Sequence, residues 1–388
     1  MSSTALHYLP EIEERALREL LESWRAEFPQ MGVLALLPEA EMEAVARVQG
    51  VCSRLDVPLA GALFPALVEG NAFRVRGAWL LRFDVMPYMA LYPDLPEGPE
   101  QVEAAVDAIA GDVASHLGAE RELTLFMLFD AMVPNIATLL DELYLRLANR
   151  VHYMGANAGS EAFKPMPCLF DTTRMIEHGM LALLLPSHPG AVLEHCYTAP
   201  AQTLTATSTA GNRILQIDWR PAFEVYREMA RAHYGVEISR DNFYQYAVHF
   251  PFGIVRANGA TLVRIPVVLE EDGSLFCVGE VPPNSLLTLL NAPAVDSERT
   301  VDMLVQGLSA LSAAPAGQEL LLFYCAGRRL HLGLEAAESE LRLFAARSQA
   351  AQIAGALSLG EIGGATQWDY PLFHNATLVA SPWGKRLP

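Results

Sequence analysis

Three segments of the chain share one order of hydrophobic and polar positions. Each begins with an apolar run that predicts a buried strand, continues with apolar residues at helical spacing, and ends in a second apolar run containing Gly-Ala. The opening runs are GVLALLP (Gly32–Pro38), LTLFMLFD (Leu123–Asp130) and LLLFYCAGR (Leu320–Arg328). Each segment covers about 30 to 40 residues, the length of a strand-helix-strand crossover. The pattern therefore predicts repeated strand-helix-strand units.

The second apolar run of each unit carries one glycine: Gly61, Gly155 or Gly355. We expect these glycines at the ends of buried strands, where a residue without Cβ permits a sharp turn or the close approach of another segment. After each of them the pattern predicts one more strand, in RVRGAWLLRF, MIEHGMLALLLP and HNATLVAS. A ligand pocket at the turns is the second interpretation, because sites collect at strand ends.

The region between the second and third units has a different character. TAPAQTLTATSTAGN (Thr198–Asn212) is rich in small polar residues and marks a domain boundary. Beyond it, Pro221 suits the first turn of a helix whose apolar stripe is Ala222, Val225, Tyr226 and Met229, and Asp272-Gly273 predicts a hairpin. The chain is thus predicted to be a mixed α/β protein with mixed sheets, divided into an N-terminal helix (1–30) and two related domains (31–200 and 201–388).

Composition and charge narrow the class of partner. The 388 residues are 52% hydrophobic and 19% charged, which is typical of a globular protein with a large core. A net charge of -18 argues against nucleic acid and anionic membrane as partners. The sequence shows neither a signal peptide nor an apolar run long enough to span a membrane, so we expect a cytoplasmic protein. A homo-oligomer is compatible with these features.

Motifs of catalysis and metal binding are not found. Ser358 has Gly360 after it but Ala356 before it, so the nucleophile-elbow spacing fails, and neither a dinucleotide loop nor a P-loop is present. The five scattered cysteines contain no C-x-x-C pair and are expected to be small buried hydrophobic residues. We therefore expect a protein that is not an enzyme, with an uncharacterised enzyme as the third alternative and a structural scaffold still open.

The order GANAG, GNRILQIDWRPAFEVY, YCAGR, GALSLGEIGG and HNATLV resembles the FIST family of bacterial signal-transduction input domains. The resemblance runs from about Gly32 to Ser381 and includes both FIST modules. In the first unit ALFPAL replaces the Gly-Glu-Ile element. The resemblance implies a sensor of a small ligand or gas with output through a partner. The subset it is most similar to binds haem b, senses nitric oxide and regulates a separate histidine kinase.

A haem sensor needs an axial ligand in an apolar setting. Among the ten histidines, His195 in VLEHCYTAP and His249 in YAVHFPFGI lie in short apolar segments, and His195 is our first choice to bind the haem iron. If its segment is a strand, His195 faces away from Glu194 and Cys196. Cys196 and Tyr197 are further candidates, since thiolate and phenolate also bind haem iron.

The alternative is a cofactor-free sensor of amino acids or related metabolites. Glu361 lies between glycines after a buried strand, in the turn region of Gly355. As a ligand-binding residue it would hold the amine of an amino acid, with Arg328 or Asn375 at the carboxylate. The competing interpretation is that Glu361 accepts backbone N–H bonds in a turn.

Overall fold

The computed structural model describes residues 5–118, 122–200, 202–256, 261–294, 298–311, 315–364 and 370–383. Within these ranges the chain forms units with the same order of elements. The first unit consists of β1 (Leu6–Leu9), α1 (Glu14–Glu27), β2 (Gly32–Pro38), α2 (Val45–Arg54), β3 (Leu59–Phe64), β4 (Leu67–Glu69), β5 (Ala72–Arg74) and β6 (Ala78–Phe83). The second consists of β7 (Tyr88–Tyr92), α3 (Pro99–Ser115), β8 (Leu123–Asp130), α4 (Ile136–Leu147), β9 (His152–Ala158), β10 (Leu169–Asp171), β11 (Met175–Ile176) and β12 (Met180–Pro186).

The third unit is interrupted after its first strand, β13 (Val192–Glu194). The interruption, which we call the inserted region, spans residues 204–289 and forms β14 (Leu204–Ala210), β15 (Arg213–Ile217), β16 (Arg220–Pro221), α5 (Ala222–Tyr234), α6 (Phe243–Ala247), β17 (Phe252–Val255), β18 (Thr261–Arg264), β19 (Pro266–Leu269), β20 (Leu275–Cys277) and β21 (Leu286–Leu289). The unit resumes with α7 (Arg299–Leu311), β22 (Glu319–Cys325), α8 (Ala326–Leu332), α9 (Leu334–Ser348), β23 (Gln352–Ser358), β24 (Glu361–Gly363), β25 (Leu372–His374) and β26 (Leu378–Trp383). The predicted mixed α/β fold class is confirmed.

Each unit builds a sheet around one parallel pair of strands. The parallel pairs are β2 with β3, β8 with β9, and β22 with β23. The last strand of each unit, β6, β12 or β26, lies antiparallel to the first strand of its pair. A parallel pair requires a crossover connection, and the amphipathic helices between its strands supply it. The predicted strand-helix-strand order is therefore confirmed in all three units.

The three sheets exchange their short hairpins in a cycle. The hairpin β4–β5 of the first unit pairs with β23 of the third, β24–β25 of the third pairs with β9 of the second, and β10–β11 of the second pairs with β3 of the first. Each sheet is thus completed by a neighbouring unit. The division of the chain at residue 200 stays a prediction, and the pairings of β4 with β23 and of β24 with β9 join the segments on either side of it.

A common core lies where the three sheets meet. Phe64 of the first unit and Phe126 of the second both pack against Phe323 of the third, with ring centroids 5.7 and 6.0 Å apart. Alternate residues of the strands face the other way: Leu322 and Tyr324 of β22, for example, pack with α7 and α9. Strands covered on both faces explain the nearly continuous apolar runs of the sequence.

The repeated glycines lie inside their strands, which corrects the expectation of turns at strand ends. Gly61, Gly155 and Gly355 are central residues of β3, β9 and β23. A Cβ added to Gly355 would stand 1.8 Å from the Leu322 carbonyl oxygen, and one added to Gly155 would stand 2.1 Å from that of Met127. The glycines permit close approach of the parallel strands, and the chain turns several residues later.

The inserted region forms a separate sheet with its own core, packed against α5. The predicted apolar stripe of α5 is buried, and the predicted hairpin is formed by β19 and β20, with Gly273 at a φ of +85°. The predicted boundary segment Thr198–Asn212 contains β14, and its Ala201 lies outside the described residues. Arg264 ties the inserted region to the third unit by donating to the Phe373 carbonyl at 2.8 Å. The inserted region is thus anchored beside the ends of β22 and β23.

Candidate functional site

A cavity of about 220 Å³ lies between the carboxyl ends of β22 and β23, the inserted region and the loop after β9. Ligand sites of α/β proteins collect at such strand ends. The third unit lines the cavity with Cys325, Ala326, Gly327, Leu330, Leu359 and Asn375. The inserted region contributes Gln245, Val248, His249, Ile265, Pro266, Val267 and Val278, and the second unit contributes Glu161 and Phe163. The second unit, the third unit and the inserted region therefore all line the same cavity.

Glu361 lies behind the cavity wall and is fully buried. Its two carboxyl oxygens accept hydrogen bonds from Ser358 Oγ at 2.5 Å and Thr377 Oγ1 at 2.6 Å. Burial raises the pKa of Glu361 to about 7, and the hydrogen bonds from Ser358, Thr377 and the Cys325 thiol oppose that rise. These partners are hydroxyl and thiol groups, so the donors to the carboxyl are neutral. At pH 7 the carboxyl is close to half protonated.

Cys325 connects this carboxyl to the cavity. It is the last residue of β22, it lines the cavity, and its Sγ accepts a hydrogen bond from the Ala376 amide at 3.0 Å. Burial raises the pKa of the thiol far above its usual value, and the neighbouring Glu361 adds to the rise. Cys325 is consequently a neutral thiol at pH 7.

Arg328 is buried beside this cluster and has no free donor. Nε and Nη2 bind the two carboxyl oxygens of Glu340 at 2.8 and 2.6 Å, and Nη2 also donates to Thr300 Oγ1 at 3.0 Å. Nη1 donates to the carbonyls of His195 and Ala376 at 3.1 and 3.5 Å. All five N–H groups of the guanidinium therefore hold protein acceptors, and none is directed at a ligand.

The other two candidate ligand-binding residues differ in position. Asn375 lines the cavity, where its amide donates to the His374 carbonyl at 3.1 Å and accepts from the Ile265 amide at 3.4 Å. Gly355 faces the Leu322 backbone within the sheet and does not line the cavity. Of Gly355, Glu361, Arg328 and Asn375, the structure brings only Asn375 to the cavity surface.

The candidate haem ligands His195, Cys196 and Tyr197 follow directly after β13. His195 Nδ1 accepts a hydrogen bond from the Tyr197 amide at 2.9 Å, and the Thr261 carbonyl accepts one from the ring. Burial, and then the charge of Arg328, lower the pKa of His195 to about 4. Cys196 has a left-handed backbone with φ +56°, and its Sγ lies 3.5 Å from the sulfur of Met303. The strand alternation expected here is absent because β13 ends at Glu194.

Tyr197 is buried, and its hydroxyl has no hydrogen-bond partner among the described residues. Its ring lies 5.9 Å from the His195 ring and 6.2 Å from that of His331. None of His195, Cys196 and Tyr197 lines the cavity. Tyr197 packs in the same apolar cluster as the lining residue Ile265.

His249 is the candidate haem ligand that the structure brings to the cavity surface. Its Nδ1 lies 2.9 Å from Nδ1 of His331, which belongs to α8. Burial lowers the pKa of both rings, that of His331 to about 4. Both imidazoles are neutral at pH 7, so one Nδ1 donates to the other and His249 is held with Nε2 as its remaining ring nitrogen.

The cavity is chemically suited to binding a small organic molecule. No described lining residue is Lys or Arg. No group of three or more His, Cys, Asp or Glu within the described ranges could hold a metal ion. Sequence reasoning missed Cys325, Glu161 and His331 as parts of this region. Only Cys325 carried a signal, because it lies near the end of the predicted strand Leu320–Arg328, and sites collect at strand ends.

Comparison with known families gives two matches. Residues 14–220 match the FIST N domain, and residues 222–364 match the FIST C domain. Glu161 of the cavity falls in the first range, and His249 and Cys325 fall in the second. No curated protein matches the chain. In the described part of the chain, no helix combines the length and apolar character needed to cross a membrane.

Proposed function

Since this chain belongs to the FIST family, whose domains sense small ligands in signal transduction, we propose that its ligand binds in the cavity between the third unit, the inserted region and the loop after β9. The observation that carries the proposal is the origin of the lining residues. Phe163 comes from the part that matches FIST N, whereas Val267 and Ala326 come from the part that matches FIST C. A ligand there contacts both parts at once.

Binding would change the contact between these parts. Gly327 at the start of α8 lies so close to the inserted region that a Cβ on it would be 2.4 Å from Ile265 Cδ1. A ligand shifts an equilibrium only when it binds two arrangements with different affinity. We propose that a molecule between α8 and the inserted region meets that condition by favouring one arrangement of these two parts over another. For output we propose a partner acting in trans, and the family resemblance implies a histidine kinase.

Haem is not the ligand that the cavity supports best. His195 has both nitrogens of its ring engaged, whereas His249 has Nε2 available and its Nδ1 held by His331. The volume of about 220 Å³ is nevertheless below the roughly 300–1,000 Å³ of sites for drug-sized ligands. Haem is larger than such ligands. The haem and nitric oxide hypothesis therefore stays a prediction that requires the walls to separate.

The decisive experiment combines a ligand panel with a variant that fills the cavity. Purified protein is screened by thermal shift against metabolites and hemin, because a ligand at a hundred times its Kd stabilises the fold by about 2.7 kcal/mol. Val267 lines the cavity, whereas its neighbour Val268 is 47% exposed and does not line it. We expect Val267→Trp to abolish the shift of a true ligand and Val268→Trp to preserve it.

Hemin has its own pair of variants. A Soret band lost in His249→Ala and kept in His233→Ala, whose side chain is exposed, would favour haem binding at His249. Nitric oxide should then shift the band of the ferrous form. Ligands that stabilise Val267→Trp as much as wild type would show that the cavity is not the binding site.

A further inference from the structure

One chemical property of the cavity restricts its ligand. The charged and polar side chains at its wall already form ion pairs or hydrogen bonds with other groups of the protein. Both oxygens of Glu161 accept from Arg329 Nη2 at 2.7 Å, and the Arg329 guanidinium also lies over the Phe73 ring at 5.3 Å. The buried Arg328, which follows the lining residue Gly327, donates to five protein acceptors. A ligand charge of either sign therefore finds no unpaired opposite charge among the described lining residues.

The remaining polar groups of the floor are also engaged. Asn375 uses its amide for the His374 carbonyl and the Ile265 amide. The Cys325 sulfur accepts from the Ala376 amide, and its thiol faces Glu361. These groups stabilise the cavity wall and leave few hydrogen-bonding sites for a ligand. Leu359, Ile265, Pro266 and Ala326, all buried, make the rest of the floor apolar.

His249 is the exception. Its Nδ1 is used by His331, and the structure shows no hydrogen bond from its Nε2 to another described residue. Because the proton between the two Nδ1 atoms can sit on either ring, Nε2 of His249 can present an N–H or a lone pair. Gln245 adds an exposed amide at the mouth. The cavity thus combines an apolar floor with one adaptable hydrogen-bonding position.

The volume sets the size of the ligand. An apolar cavity of about 150 Å³ in another protein accommodates benzene. The present cavity, at about 220 Å³, has room for a six-membered ring with one small substituent. Burial of an unpaired carboxylate or ammonium in such a space costs several kcal/mol.

We propose that the ligand is an uncharged, compact, mainly apolar molecule of about the size of a monosubstituted benzene, with one hydrogen-bonding group directed at His249. The proposal rests on the function proposed above and names its ligand class. It excludes zwitterionic amino acids, because both their ammonium and their carboxylate group would be buried without an opposite charge. Binding buries the ring against Leu359 and Ile265 and places the polar group between His249 and the mouth.

The test uses three probes of nearly equal size: benzyl alcohol, benzoate and benzylamine, which is cationic at pH 7.5. Binding is measured by calorimetry and ligand-observed NMR on wild type, Val267→Trp and Val268→Trp. We expect benzyl alcohol to bind at least tenfold more tightly than either charged probe, since each charge would be buried without a partner. Its binding should disappear in Val267→Trp and persist in Val268→Trp.

The role of His249 is tested with toluene, which lacks the hydroxyl. His249→Phe should weaken benzyl alcohol about three- to tenfold relative to toluene, because one hydrogen bond is lost. An equal effect on both probes would overturn the assigned role of His249.

Each other outcome also decides something. If benzoate or benzylamine binds as tightly as benzyl alcohol and Val267→Trp blocks it, the ligand class is wrong and the cavity remains the binding site. If no neutral probe binds at millimolar concentration, the ligand class is wrong. If, in addition, no panel compound responds to Val267→Trp, the proposed function falls as well.

Discussion

The first and third units place equivalent residues at the carboxyl ends of their parallel strands, with opposite chemistry. In the third unit, Cys325 and Ser358 are paired across β22 and β23, and Glu361 begins the exchanged hairpin. In the first unit, Pro38 and Phe64 are paired across β2 and β3, and Leu67 begins the exchanged hairpin. The two backbones follow the same path, although one set is largely polar and the other is apolar.

This difference shows that the fold does not require the polar cluster. Phe64 and Leu67 are both fully buried and complete their sheet by packing alone. Glu361 is equally buried and needs hydrogen bonds from Ser358 and Thr377 to compensate for its desolvation. The fold does not need a buried carboxyl at this position, and Glu361 lies behind the cavity wall. We therefore expect that function, and not folding, accounts for the carboxyl in the third unit.

The largest expected effect comes from the buried ion pair of the third unit. Arg328→Ala leaves Glu340 buried without its cation and should lower the free energy of unfolding by about 3–5 kcal/mol. Arg74→Ala in the first unit removes a pair with Glu69 that is largely exposed and should cost less than about 1 kcal/mol. Urea denaturation measures both. Losses of similar size would mean that burial does not make the ion pair of the third unit more important for stability than that of the first.

The next effect concerns pH. Glu361 has its pKa raised from 4.5 to about 7, so its contribution to stability is complete below pH 4.5 and is lost as the pH rises through 7. The loss amounts to about 3 kcal/mol. Glu361→Gln cannot titrate, so the unfolding free energy of wild type minus that of the variant should fall by this amount between pH 4 and pH 8. A flat difference over this range would show that Glu361 titrates alike in both states.

A smaller effect separates the repeated glycines. Gly355→Ala places a Cβ against the Leu322 carbonyl, and we expect a loss of about 2–3 kcal/mol because the neighbouring backbone cannot move away. Gly61→Ala meets mainly the Phe170 ring, with the nearest backbone oxygen at 2.8 Å, and should cost about 1–2 kcal/mol. Thermal and urea unfolding of the two variants give the order. The reverse order would contradict the close-approach explanation at Gly355.

The smallest effect tests the hydroxyl partners of Glu361. Thr377→Val removes a donor to the carboxyl and should destabilise the fold by about 1–2 kcal/mol. Thr288 is a matched control, since its hydroxyl is equally buried and has no partner among the described residues. Thr288→Val should be neutral or slightly stabilising. Equal losses would indicate that the threonines act through packing and not through the carboxyl.

Much of the candidate site could not be predicted from the sequence. Glu361 is recognisable in the sequence because glycines interrupt the apolar run around it, whereas Asn375 belongs to HNATLV, one of the segments that carry the family resemblance. The sequence predicts Cys325 to be a small buried hydrophobic residue, since nothing local shows that a carboxyl lies beside its thiol. The polar surroundings of His331 predict a solvent-exposed side chain, but its ring is half-buried against His249, more than eighty positions away, and sequence pattern does not report contacts at that separation.

The elements and their order follow from the sequence alone. Apolar runs and helical spacing are local properties, so β2, β8 and β22, their following helices, and the hairpin at Asp272-Gly273 could be predicted. The sheet that each short hairpin completes and the position of the cavity depend on contacts between distant segments. The strands β4 and β24 have three residues each and pair with β23 and β9, far away in the chain. Their partners are selected by the burial of three sheets around Phe323, and that energy exists only once all three units are assembled.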